Sequence, residues 1–159
     1  MGVEVRRIVL ESASANHTAT ADFSETVLVV DDDIAVAESV AIAIRSLGYQ
    51  AVVVGDGRET LQRLKTTRFD AILLDIKMPE MDGLAVLRRI FEHDPRAIVL
   101  MLTAVEDEQV ATEATQLGAS GFLTKPCNIS LLQFTWSMLG LSASLTLLDQ
   151  PMQLVHLLL

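Results

Sequence analysis

The sequence predicts an α/β fold: an open, doubly wound, five-stranded parallel sheet with helices on both faces. Three observations carry this. Continuously apolar runs at residues 27–30, 71–74, 97–102 and 121–123, joined by a fifth at 51–54, read as strands buried on both faces. Segments with helical apolar spacing separate them, so strands and helices alternate and the strands need parallel, right-handed crossovers. Polar and charged residues gather at the carboxyl ends of the runs rather than along them.

Taken in order, residues 1–25 are rich in small polar side chains, with one apolar patch at residues 8–10, and are expected to form a poorly ordered extension. After the first strand, Val36, Val40, Ile44 and Leu47 share one helical face, and Gly48 is placed to end that helix. Leu61 and Leu64 mark a shorter second helix. Leu84, Leu87 and Phe91 mark a third, opened by Asp82-Gly83. The fourth carries Glu106, Asp107 and Glu108 in its first turn, where the helix dipole favours acids, with Val110, Ala114 and Leu117 inside and Gly118 closing it. A final helix is expected from Asn128, a good N-cap. Yet Leu132, Phe134, Trp136 and Met138 alternate with other residues, as do Leu141, Ala143, Leu145 and Leu147, and period-two spacing favours strand. A membrane span fits poorly, because only 12 of the 20 residues at 129–148 are apolar. One domain over residues 26–139 is expected, followed by an apolar tail at 140–159 that should pack on something.

Composition narrows the function. The chain has 159 residues, 21 acidic against 12 basic, and a net charge of -9. That balance argues against direct nucleic-acid binding, which needs clustered Lys and Arg. A single cysteine, Cys127, excludes an internal disulfide framework and a cysteine-based zinc site. His17, His93 and His156 show no metal-ligand spacing. No signal-peptide run opens the chain, and Arg6 stands where a myristoylation motif needs Ser or Thr. The expectation is a soluble cytoplasmic protein.

In an open parallel sheet, ligands bind beyond the carboxyl ends of the strands. Asp31, Asp32 and Asp33 follow the first strand, the third ends at Asp75, the fourth at Thr103 and the fifth at Lys125-Pro126. Carboxylates packed so closely repel, and a hard divalent ion with oxygen ligands resolves the conflict; an incomplete cage suits Mg²⁺. The Asp run would serve equally well, taken alone, as a solvated loop with an N-cap. A carboxylate held against Mg²⁺ is a nucleophile toward phosphorus, and Asp75 fits that role. Lys125 fits a fixed cation and Thr103 a hydroxyl donor to a phosphoryl oxygen, although a strand-end Thr also satisfies local backbone.

Four motifs, in order, carry a resemblance. Val29-Val30-Asp31-Asp32-Asp33, then Leu73-Leu74-Asp75-Ile76-Lys77-Met78-Pro79-Glu80-Met81-Asp82-Gly83, then Leu102-Thr103-Ala104, then Gly121-Phe122-Leu123-Thr124-Lys125-Pro126 resemble the receiver (response regulator) domain of two-component signalling. The resemblance spans residues 26–139 and implies the flavodoxin-like strand order 2-1-3-4-5. It implies that Asp75 accepts a phosphoryl group from a phosphohistidine of a sensor histidine kinase or histidine phosphotransfer protein. It further implies Asp31 and Asp32 as the acidic pair, with Mg²⁺ ligands from Asp32, Asp75 and the Lys77 carbonyl. Lys125 would pair with Asp75 and then with the phosphoryl group. Thr103 and Phe122 would be the switch pair, although an aromatic at Phe122 would also serve as a core residue of the fifth strand. Pro126 resembles the family's cis proline. The face built from the fourth strand, fourth helix, fifth strand and fifth helix would signal onward, with a homodimer possible.

Two departures bear on function. Lys77 and Val105 stand two residues past Asp75 and Thr103, where the family tunes dephosphorylation, and neither offers a carboxylate or amide; a long-lived phosphoryl group is expected. Residues 127–148 carry no charge, unlike the family's usual fifth helix. Two other functions compete: a Mg²⁺-dependent phosphohydrolase working through a phosphoaspartate, disfavoured by Lys77 where a second carboxylate is needed, and a phosphate-independent binding module, disfavoured by intact Asp75, Thr103 and Lys125.

Overall fold

The computed structural model describes residues 25–104 and 108–141. The predicted leader, the tail beyond Leu141, and Val105, Glu106 and Asp107 lie outside the described residues. Among the described residues, five strands, β1 (Thr26–Val30), β2 (Gln50–Val54), β3 (Ala71–Asp75), β4 (Val99–Thr103) and β5 (Gly121–Thr124), alternate with five helices. These are α1 (Ile34–Ser46), α2 (Gly57–Thr66), α3 (Gly83–His93), α4 (Glu108–Leu117) and α5 (Ile129–Met138). The sheet is wholly parallel in the order β2-β1-β3-β4-β5, as the resemblance implied.

Successive strand side chains point to opposite faces, and both faces are covered, so a strand with no polar interior position is what burial demands. Val27 and Val29 pack beneath α1 and α5 with Ala37, Val40, Ile44, Leu132 and Trp136. Leu28 and Val30 pack on the other face with Val86, Leu87 and Ile90 of α3 and Ala114 of α4. Helix starts are set by side-chain caps. Asp33, Asp56, Asp82 and Asn128 each accept hydrogen bonds from free backbone N–H groups at the first turns of α1, α2, α3 and α5. Gly48 ends α1 at φ 91°, a left-handed conformation that costs a residue without a β-carbon nothing.

One boundary is corrected and one open alternative is decided. The fourth strand starts at Val99, not residue 97: the Ala97 N–H instead donates to the Asp94 carbonyl in a turn, at 3.2 Å. The helix expected from Asn128 is present at Ile129–Met138, so the alternative period-two reading of Leu132, Phe134, Trp136 and Met138 does not hold. Leu132 and Trp136, one helical turn apart, are buried, whereas Phe134 and Met138 face outward. No helix among the described residues is long and apolar enough to cross a membrane.

Candidate functional site

The carboxyl ends of β1, β3, β4 and β5 meet at one rim because the strands are parallel and in register. Val30 pairs with Leu74, Asp75 with Leu102, and Thr103 with Thr124. The residues just past or at these ends are therefore brought together by the sheet itself. They line a cavity of about 220 Å³ that includes Asp31, Asp32, Asp75, Lys77, Thr103 and Lys125.

The three consecutive aspartates divide their work. Asp33 turns back to cap α1, accepting from the Ala35 and Val36 N–H groups at 3.1 and 3.2 Å. Asp31 is buried, accepts the Asp33 N–H at 3.0 Å and forms an ion pair with the Lys125 ammonium. Asp32 is exposed at the cavity mouth. One carboxylate oxygen from each of Asp31, Asp32 and Asp75 lies within 4.8 Å of the others. An all-oxygen, acidic donor set on that scale, partly buried and partly open to solvent, matches a hard divalent cation that keeps some of its waters.

Lys125 holds the other side. Its ammonium lies 3.2 Å from Asp75 Oδ1 while also pairing with Asp31. The backbone fixes where it stands, because the Lys125 N–H donates to the Thr103 carbonyl at 2.8 Å, tying the end of β5 to the end of β4. The Lys125–Pro126 peptide bond is cis. Burial and the neighbouring Asp31 charge push the Asp75 carboxyl above the usual range, against the pull of Lys125 and of a hydrogen bond from the Lys77 backbone. Burial works against the Lys125 charge, but Asp31 and Asp75 outweigh it and hold the ammonium above an ordinary lysine. The site thus carries surplus negative charge that one lysine does not neutralise.

Thr103 ends β4, half-buried at the cavity wall, and Phe122 is half-buried in β5. Phe122 pairs with Met101 and Thr124 pairs with Thr103, so Thr103 and Phe122 fall on the same face of the sheet, on neighbouring strands. The described structure therefore gathers Asp31, Asp32, Asp75, Lys77, Thr103 and Lys125 at one cavity and sets Phe122 beside it. Val105 lies outside the described residues.

Sequence reasoning missed Gly83, read only as the opening of α3. A β-carbon there would fall 2.2 Å from the Asp75 carbonyl oxygen. It also missed a neighbouring groove of about 530 Å³, lined by Ile76, Met78, Pro79, Leu84 and Val110 and opening beside Asp32 and Lys77. Gly83 had a usable signal in the Asp-Gly pair; the groove had none, since its lining comes from separated segments.

Comparison with known proteins agrees with this geometry. The profile of the response regulator receiver domain matches residues 27–135. Among curated proteins, the transcriptional regulatory protein ZraR of Escherichia coli K12 is 38% identical over 109 residues, covering 69% of this chain and 25% of that protein. The probable transcriptional regulatory protein TcrX of Mycobacterium tuberculosis is 33% identical over 130 residues, covering 82% of this chain and 56% of that protein. The match thus spans between a quarter and about half of these relatives. Among solved structures, the chemotaxis protein CheY4 of Vibrio cholerae superposes with a TM-score of 0.69 at 32% identity, covering 72% of this chain and 98% of that one. The receiver domain of a sensor histidine kinase from Pseudomonas aeruginosa, solved with a magnesium ion in its active-site cleft, gives 0.67 at 28% identity, covering 74% and 98%.

Proposed function

This chain belongs to the response regulator receiver domain family of two-component systems, and from that membership we propose that it is a cytoplasmic switch phosphorylated on Asp75. The donor is the phosphohistidine of a sensor histidine kinase or histidine phosphotransfer protein. One observation carries the reading: carboxylates from the ends of two strands lie within 4.8 Å of one another, with the Lys125 ammonium 3.2 Å from Asp75.

An Asp75 carboxylate oxygen attacks phosphorus in line with the departing imidazole. The new P–O bond forms as the P–N bond breaks, and the imidazole leaves with the electron pair. Asp32, Asp75 and the Lys77 carbonyl would hold Mg²⁺, with Asp31 beside them, and the ion would offset the charge of the phosphoryl oxygens when bound. Lys125, paired with Asp31 and Asp75 at rest, turns its ammonium to a phosphoryl oxygen after transfer. The Thr103 hydroxyl bonds another, and Phe122, on the same sheet face, follows into the space Thr103 leaves. A charge-changing modification thereby biases a two-state element. The signal leaves through the β4-α4-β5-α5 face, to a partner or a second copy. With acidic residues in excess, this chain does not itself bind DNA.

The test is to incubate the protein with Mg²⁺ and a small phosphodonor, with and without Asp75→Asn, and to follow its mass. A retained adduct absent from the variant supports the switch. Donor turnover with no retained adduct indicates a phosphohydrolase, and no reaction indicates an inert binding module.

A further inference from the structure

Helix α5 is apolar on two opposite sides. Leu132 and Trp136 are buried against α1 and the sheet. On the far side Leu131, Phe134 and Met138, spaced i, i+3 and i+7, are 44%, 57% and 72% exposed. A helix that is apolar all round is normally covered all round. No charge between residues 127 and 148 keeps this stripe in water.

The way the chain leaves the helix says what covers it. Gly140, at φ 74°, closes α5 in a left-handed turn, with the Gly140 N–H donating to Ser137 and the Leu141 N–H to the Trp136 carbonyl. Leu141 is buried, and its carbonyl accepts the Tyr49 hydroxyl at 3.1 Å. Leu141 is therefore anchored at the carboxyl end of α5. Beside this exit the indole Nε1 of buried Trp136 has no hydrogen-bond partner among the described residues. Residues 142–159 hold ten apolar residues among eighteen and one formal charge, Asp149.

We propose that residues 142–159 of this same chain fold back along α5 and cover Leu131, Phe134 and Met138, with an early backbone carbonyl accepting the Trp136 indole N–H. Reach is no obstacle. Ten helical residues span about 15 Å, which about five extended residues cross. A tethered segment works at an effective concentration of about millimolar. The stripe itself offers only a few hundred Å², below the roughly 800 Å² per partner of a stable interface, so a second copy is the weaker occupant.

Hydrogen exchange on the full chain, read by mass spectrometry across a concentration series with light scattering, tests this. In the monomer, amides of residues 142–159 should exchange at least tenfold more slowly than in the same segment as a free peptide. F134D/M138D should abolish that protection while leaving the sheet amides unchanged, and L154D/L157D, which alters only the segment, should do the same. Peptide-like exchange in the wild-type monomer overturns the proposal. So does protection that appears only as the protein dimerises, or protection that survives both variants.

Discussion

The carbonyl oxygen of Asp75 passes 2.2 Å from the point a β-carbon on Gly83 would occupy, and the Ile76 Cα passes 2.7 Å from it. The Gly83 N–H donates to the Ile76 carbonyl at 2.8 Å, so the start of α3 is locked backbone to backbone onto the end of β3. Backbone atoms have little room to yield. Gly83→Ala should therefore push the Asp75 strand end away from Asp31 and Lys125, lowering stability in urea unfolding by about 2 kcal/mol. Phosphorylation by a small donor should slow severalfold as well, and a normal rate with normal stability would contradict the contact.

Asp75 is a liability to the fold when charged. Its carboxyl is raised by burial and by Asp31, so the folded state holds the Asp75 proton to higher pH than the unfolded state does. That protonated contribution to stability is complete below the ordinary carboxyl pKa and is lost as pH rises through the raised value. Without divalent cations at neutral pH, Asp75→Asn should raise the midpoint of thermal unfolding. The gain should shrink as pH falls through the raised carboxyl value, because wild-type Asp75 is then itself neutralised. A variant less stable than wild type at pH 7 would show that Lys125 outweighs desolvation.

Much of this site is legible in the sequence because parallel strands in register convert position along the chain into position at a rim. Asp31, Asp75, Thr103 and Lys125 each sit at or just past the end of an apolar run, and the sheet delivers them together. The division of labour among Asp31, Asp32 and Asp33 is not legible, since adjacent residues of one type differ only in which way the turn points them. At Gly83 the Asp-Gly pair signals a turn, but not that the turn brings the backbone back onto Asp75 and Ile76. The form of α5 was ambiguous for a physical reason. With both sides of the helix apolar, Leu132 and Trp136 inward and Phe134 and Met138 outward, the sequence shows the period of two expected of a strand.

Three carboxylates and one lysine leave the pocket short of positive charge, and Mg²⁺ should stabilise the fold. At ten times its dissociation constant the gain is about 1.4 kcal/mol, and a chelator should reverse it. Asp32 is exposed and packs no core, so Asp32→Ala should keep the metal-free stability and lose most of this response. Thermal unfolding with and without Mg²⁺ and chelator measures both, and an unchanged Mg²⁺ response in Asp32→Ala would remove Asp32 from the ligand set.

Lys77 is exposed at the cavity, two residues past Asp75, where the family places side chains that orient the water attacking the phosphoryl group. Its ammonium donates but cannot accept a proton from that water. The phosphoryl group should persist for minutes or longer, by an order-of-magnitude expectation for a site lacking general-base help. Lys77→Glu or Lys77→Asn should shorten its lifetime severalfold, seen as faster loss of the phosphorylated mass after donor removal. Loss within seconds from the wild type would contradict this.

Lys125 pairs with Asp31 and Asp75 where both carboxylates are nearly shut off from solvent. Removing the partner of buried charges costs more than the pair contributes, because the remaining charges are left without compensation. In metal-free buffer at neutral pH, Lys125→Ala should cost about 3 kcal/mol in urea unfolding. High salt should restore little of this, since the pair lies largely out of solvent. Lys125→Arg should recover part of the loss by keeping the charge. As pH falls and Asp75 takes up a proton, the penalty should diminish, and added Mg²⁺ should offset part of it at neutral pH. If Lys125→Ala were as stable as wild type at pH 7, the ion pairs to Asp31 and Asp75 would not govern the metal-free pocket. The charge surplus assigned to it would then have to be balanced elsewhere.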